Sequence, residues 1–178
     1  CFAAVGKNAH HAILGADTCH IVHPSDPAVA LLALDAEVEV VGPEGSRRIG
    51  LGEFFAEPQR GARSETVLGA DELITEVFVP GPPAGAQGVY VKVAERASWD
   101  FALVSAAVQI EISDDEVEAV RVVLGGVASM PWRAREAEGL LRGKALTAER
   151  IEEAATASSA GAAPLSDNGY KVRLVEGA

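Results

Sequence analysis

The sequence predicts an α+β fold in two parts, residues 1–80 and residues 86–178, the second a three-stranded antiparallel sheet packed with helices. Three observations carry this expectation. Strand-length apolar runs come first and helical patterns follow, instead of alternating one by one. The densest proline and glycine cluster, Pro80-Gly81-Pro82-Pro83-Ala84-Gly85, divides the chain. A chain of 178 residues that is 48% hydrophobic can bury a core and is too apolar for disorder.

Taken in order, Asp26-Pro27 reads as a helix start, with Asp26 as N-cap and proline at the first helical position. Val29, Leu31, Leu32 and Leu34 give that helix its apolar face, and it stops near Asp35. Residues 37–41 alternate like a strand, Gly42-Pro43-Glu44-Gly45 turns it, and 46–51 returns as a hairpin partner. Phe54 and Phe55 close a short helical turn, a polar loop runs from Arg60 to Glu65, and 73–79 is a further strand. Beyond the proline cluster, strands are expected at 89–93, 101–112 and 117–124, the last ending at Gly125-Gly126. Helices are expected at 132–141, 147–158 and 168–175, with Thr147 capping the second and Glu149 in its first turn.

Lysine and arginine total 15 against 26 acidic residues, a formal charge of -11, and the basic residues are scattered. That argues against nucleic acid or an anionic membrane surface as the partner. The longest apolar runs, 29–34 and 102–108, fall short of the roughly 20 residues of a membrane helix, so no membrane insertion is expected.

Cys1 and Cys19 are the only cysteines. A disulfide between them would close a short loop and stabilise little beyond it. With His10, His11, His20 and His23 in the same region they look like half of a metal site, and a zinc site of two thiolates and two imidazoles can be drawn. The spacing matches no familiar zinc pattern, and surface histidines with buried thiols explain the residues equally well. No G-x-G-x-x-G follows a strand, and there is no P-loop or nucleophile elbow. The chain opens on cysteine with no signal-peptide pattern, so it is expected to begin inside a larger protein.

Several motifs, in order, carry a family likeness. They are Cys19-His20-Ile21-Val22-His23-Pro24-Ser25-Asp26, Ala33-Leu34-Asp35-Ala36, Glu72-Leu73-Ile74, Tyr90-Val91-Lys92-Val93-Ala94-Glu95-Arg96-Ala97-Ser98, Phe101-Ala102-Leu103-Val104-Ser105, and Leu124-Gly125-Gly126-Val127-Ala128 with Pro131-Trp132-Arg133. Together they resemble the FAD-binding subunits of molybdenum hydroxylases, the xanthine dehydrogenase family. The branch most similar is the flavin subunit of bacterial aldehyde oxidoreductases, which carries an extra [4Fe-4S] cluster.

The resemblance implies that residues 1–80 are the C-terminal part of an FAD-binding domain, with a remnant of the iron-sulfur insertion, and that 86–178 are the family's C-terminal domain. It implies that Cys1 and Cys19 are two of the four thiolates such a cluster requires. Asp26 matches an aspartate contacting the flavin nucleotide, Ile74 a position whose backbone lies against adenine, and Lys92 a lysine near the isoalloxazine. Arg96, Ser98 and Asp100 follow as second-tier pocket residues, while Gly125-Gly126 reads as a turn or close packing. The family's glycine-rich pyrophosphate segments have no counterpart here, so the fragment alone is expected to bind FAD weakly or not at all and to be inactive.

The implied function is electron transfer. A large subunit with the molybdenum cofactor oxidises an aldehyde or similar substrate, a small subunit with [2Fe-2S] clusters relays electrons, and FAD on this subunit passes them to an acceptor. The implied compartment is cytoplasmic, or periplasmic if a partner carries the export signal. The alternative is a non-catalytic docking domain with zinc on Cys1 and Cys19. Residues 1–50, with hairpin and helix short of sheet partners, are expected to be looser than the C-terminal part.

Overall fold

The computed structural model describes residues 1–58 and 64–178. The polar loop expected from Arg60 to Glu65 therefore lies, as far as Arg63, outside the described residues. After a 3-10 turn at Phe2–Ala4, helix α1 spans Asp26–Ala33. Its N-cap is Ser25, not Asp26: the Ser25 hydroxyl accepts the Ala28 N–H at 3.2 Å. A cap must reach the amide three residues on. Serine before Asp26-Pro27 does so, which leaves the aspartate inside the first turn and free to look outward.

Strands β1 (Glu37–Gly42) and β2 (Gly45–Gly50) form the expected hairpin, with Gly42 paired to Gly45 across Pro43-Glu44. Gly45 sits at φ +116°, which only glycine adopts without strain. A single helical turn, α2 (Leu51–Phe54), follows. Strand β3 (Leu73–Phe78) pairs with the other side of β1, giving the order β2-β1-β3. Val38 and Val40 are buried in this sheet, whereas all six residues of β3 are exposed.

The second sheet contains the three expected strands, β4 (Gln87–Val93), β5 (Val104–Ser113) and β6 (Glu116–Gly125), all antiparallel. It also contains a fourth. Trp132–Arg133, expected as the start of a helix, forms strand β7 on the edge of β6, so the sheet is β4-β5-β6-β7. Pairing of Leu124 with Trp132 and a bond from Ala134 N–H to the Val122 carbonyl at 2.9 Å hold this segment extended until helix α3 (Arg135–Leu141) begins. Helix α4 spans Ala148–Ser158 under the expected Thr147 cap. Helix α5 spans Tyr170–Gly177, starting after Asn168 because the Asn168 amide is engaged elsewhere, accepting from Leu165 N–H and donating to the His11 and Ala12 carbonyls.

The second sheet is covered on both faces. One face packs Val104, Ala106, Val122 and Leu124 against Ala137, Leu141, Ala154 and Val175 of α3, α4 and α5. The other packs Ala107 and Val123 against Val29, Leu32 and Ala33 of α1, in a cluster that continues into Val38, Val40, Ile49 and Phe54. Ile13 and Leu14, fully buried, belong to the first cluster, and both donate backbone hydrogen bonds to the Val127 carbonyl. Packing thus crosses the 80–86 division twice.

Candidate functional site

Strand parity sets up the site. Lys92 pairs with Ser105, Tyr90 with Ala107 and Ser105 with Gly125, so these side chains share one face of the sheet. Ala107 packs under α1, so that face is the one toward α1. Near the end of β4 the lysine reaches the helix start: Lys92 Nζ donates to Asp26 Oδ2 at 2.6 Å and to the Asp100 carbonyl at 2.6 Å. The Asp26 carboxylate, in the first turn of α1, is also favoured by the positive end of the helix. Both side chains remain about one-third exposed, 30% for Lys92 and 33% for Asp26, so the pair stays reachable.

The loop after β4 is braced by Asp100. Its carboxylate accepts the Arg96 and Phe101 N–H groups at 3.0 and 3.1 Å, and those bonds, the first above all, hold its carboxyl below the usual carboxylate range. Arg96 donates in turn to the Trp99 carbonyl at 2.7 Å. Trp99 stands at the loop apex with φ +55° and 96% exposure.

A cleft of about 280 Å³ opens beside this pair, lined by His23, Asp26, Phe101, Ser105, Gly125 and Gly126 among others. A Cβ on Gly125 would collide with Ser105 and Val29, and one on Gly126 would meet the Leu103 and Ala102 carbonyls, so its floor admits only glycine. The Ser105 hydroxyl is buried there and finds no hydrogen-bond partner among the described residues. Partial burial pushes the Tyr90 phenol up to about 12, with the nearby Asp26 carboxylate adding to the rise, so the phenol keeps its proton at neutral pH. Burial lowers His23 against an opposing pull from Glu65, which leaves a neutral imidazole at pH 7, packed edge-on against Phe55 at 4.9 Å.

The expected site residues divide. Asp26, Lys92 and Asp100 come together, and Arg96 braces their loop. Ser98 lies in the same loop but outside this cleft. Ile74 is on β3, in the other sheet, 39% exposed and away from the cleft. Cys1 is exposed and Cys19 half-buried, both free thiols. Among the described residues no group of three or more His, Cys, Asp or Glu side chains is placed to hold a metal ion. Two thiolates cannot ligate four irons, so the donor set fits neither a complete [4Fe-4S] cluster nor the zinc alternative. Tyr90 and Ser105 were not singled out from sequence. Their signal was there: Tyr90 is two residues before Lys92 on a strand, and Ser105 is the polar residue in an apolar run.

These residues fit part of FAD. An apolar cleft with a glycine floor and a buried hydroxyl, with the Lys92–Asp26 pair beside it, suits a flat ring with polar edges. It does not enclose a whole dinucleotide.

Comparison with known proteins identifies the family of both segments. Residues 7–82 match the FAD binding domain in molybdopterin dehydrogenase, and residues 89–176 match the CO dehydrogenase flavoprotein C-terminal domain. The chain is 40% identical to the aldehyde oxidoreductase FAD-binding subunit PaoB of Escherichia coli (strain K12), over 99% of this chain and 52% of that protein. It is 34% identical to the nicotine 6-hydroxylase medium subunit of Paenarthrobacter nicotinovorans, over 92% of this chain and 56% of that one. A solved carbon monoxide dehydrogenase of Hydrogenophaga pseudoflava, lacking the Mo-pyranopterin moiety of its cofactor, superposes with a TM-score of 0.77 at 30% identity. That match covers 86% of this chain and 53% of the other. The chain spans about half the length of the curated relatives it matches.

Proposed function

This chain belongs to the FAD-binding subunits of the molybdenum hydroxylase family, and we propose from this that its parent is an electron-transfer flavoprotein subunit of an oxidoreductase acting on an aldehyde or a comparable small substrate. The observation that carries the reading is the linkage of Lys92 to Asp26 and the Asp100 carbonyl, since it joins the two family segments at one cleft. Bound FAD would supply the exchange between one-electron and two-electron carriers. Lys92 would present an ammonium at the ring edge, held in place by Asp26. Phe101, which lines the cleft, would exclude water. Ile74 serves only the far end of the nucleotide in this reading, through backbone groups on the unpaired side of edge strand β3.

A molybdenum-cofactor large subunit and a [2Fe-2S] small subunit are the proposed partners, supported by relatives named as medium chains and medium subunits. The division at residues 80–86 is proposed as the module boundary, supported by the two matched segments. For Cys1 and Cys19, a [4Fe-4S] assignment requires two thiolates from outside this chain, and iron analysis of the parent tests it. No helix of the described residues is long and apolar enough to cross a membrane. A cytoplasmic site is proposed, or a periplasmic one by export with a partner.

The full-length parent should purify with FAD, and Lys92→Ala should lower its flavin content or shift the flavin potential while leaving thermal stability nearly unchanged. A strand-end lysine in an exposed ion pair contributes little to the core. Equal flavin content and equal potential in the variant would overturn the role of Lys92, and a parent devoid of flavin would overturn the function.

A further inference from the structure

Lys171 is 1% exposed and has no role in the site as described so far. Helix α5 drives it inward beneath the cleft, where Nζ donates to the His10 carbonyl at 2.9 Å and to the Gly126 carbonyl at 2.7 Å. Both His10 and Gly126 line the cleft. No described carboxylate lies within ion-pair distance of Nζ, and burial alone lowers this amine to about 8. Lys92, by contrast, is neutralised by Asp26. A buried cation without a counter-ion is costly, and two carbonyls could be left to water or to other donors at less expense.

We propose that Lys171 is a positioning residue for the cofactor cleft, its ammonium tying the N-terminal segment to the Gly125-Gly126 floor and making the cleft favourable for an electron-rich ligand. The proposal rests on the FAD reading above. The geometry supports it on two counts: one ammonium joins two walls that are far apart in sequence, and its charge sits behind a floor whose glycines admit no intervening side chain. The neighbouring titratable residues are His10 and His11 on the N-terminal segment and Tyr170 on α5. Partial burial raises the Tyr170 phenol, and the nearby Glu95 carboxylate adds to the rise. Apart from the His10 backbone carbonyl, none of these residues accepts a hydrogen bond from the lysine ammonium.

The test uses the full-length parent stripped of flavin, titrated with FAD from pH 6.5 to 9.5, with flavin fluorescence as readout and thermal unfolding alongside. Wild type should bind FAD more weakly as pH rises through about 8, the direction expected when a favourable positive charge is lost. Lys171→Met should bind about tenfold more weakly than wild type at pH 7 and lose that pH dependence, the two proteins converging at pH 9.5. Lys171→Arg should keep the affinity without the fall near pH 8, since arginine stays charged. A Met variant that melts no lower than wild type yet binds weakly supports positioning. A Met variant with wild-type affinity at every pH overturns the proposal and leaves the FAD reading intact. Wild type that fails to bind FAD overturns the reading beneath it.

Discussion

At the residue scale, two side chains show how a role can be visible in the sequence while its partner is not. Asp26 stood out because aspartate before proline starts helices, but the cap is Ser25 and the aspartate meets a lysine 66 positions away. No local pattern encodes that contact. The two roles separate by mutation: Ser25→Ala should cost about 1 kcal/mol of stability, whereas Asp26→Asn should leave stability within about 0.5 kcal/mol and weaken flavin retention in the parent. Chemical denaturation with flavin content measured on the same samples checks both. Loss of stability in Asp26→Asn equal to that in Ser25→Ala would return the cap to the aspartate. Lys171 gave no signal at all, being one lysine in a polar helix pattern. Its amine, lowered to about 8 from an ordinary 10.5, makes a linkage prediction of definite sign. Between those values the unfolded chain holds a proton that the folded chain has released, so stability should rise with pH through that window. Lys171→Met should remove that rise, and a flat wild-type profile from pH 8 to 10 would show that the amine is not depressed.

At the element scale, propensity and periodicity located nearly every strand and helix, because alternation and capping are local. They failed at residues 132–134, where Pro131-Trp132-Arg133 looks like a helix entry. The backbone-paired strand there is also fastened by Glu138, a carboxylate with 5% exposure on α3. It receives Arg133 through two bonds of 2.8 and 3.0 Å and the Val122 N–H at 3.0 Å. One acid thus fastens β7, β6 and α3 together, a three-way contact that no sequence window contains. Glu138→Ala would leave a buried N–H unpaired and a half-buried guanidinium without its anion. The expected loss is roughly 2 to roughly 4 kcal/mol, read from urea denaturation, with Glu138→Gln retaining part of it. A cost below about 0.5 kcal/mol would mean that β7 is held by backbone pairing alone.

At the scale of the whole molecule, the sequence divides at the proline cluster while the packing does not. Ile13 and Leu14 are sealed into the core of the second sheet, and Asn8, exposed 0%, bonds to the Asp167 N–H and to Ser166. Burying the two aliphatic side chains is worth about 1.5 to about 3 kcal/mol each. The N-terminal segment is therefore a strap across the C-terminal domain, and its burial bears against the expectation that residues before 51 are looser than the C-terminal part. The exposed element is instead β3, whose six residues are all exposed, with Leu73 at 69% and Phe78 at 47%. Protection from exchange tracks burial and the cooperativity of the unit that must open. The Ile13 and Leu14 amides, both bound to the Val127 carbonyl, should thus exchange as slowly as amides of β5 and β6, and those of β3 much faster. Hydrogen exchange on the 178-residue chain resolves this directly. If residues 12–14 exchange at the rate of β3, the strap opens independently of the sheet, and the chain is two units joined at its proline cluster; if they exchange with β5, one cooperative core spans both matched segments.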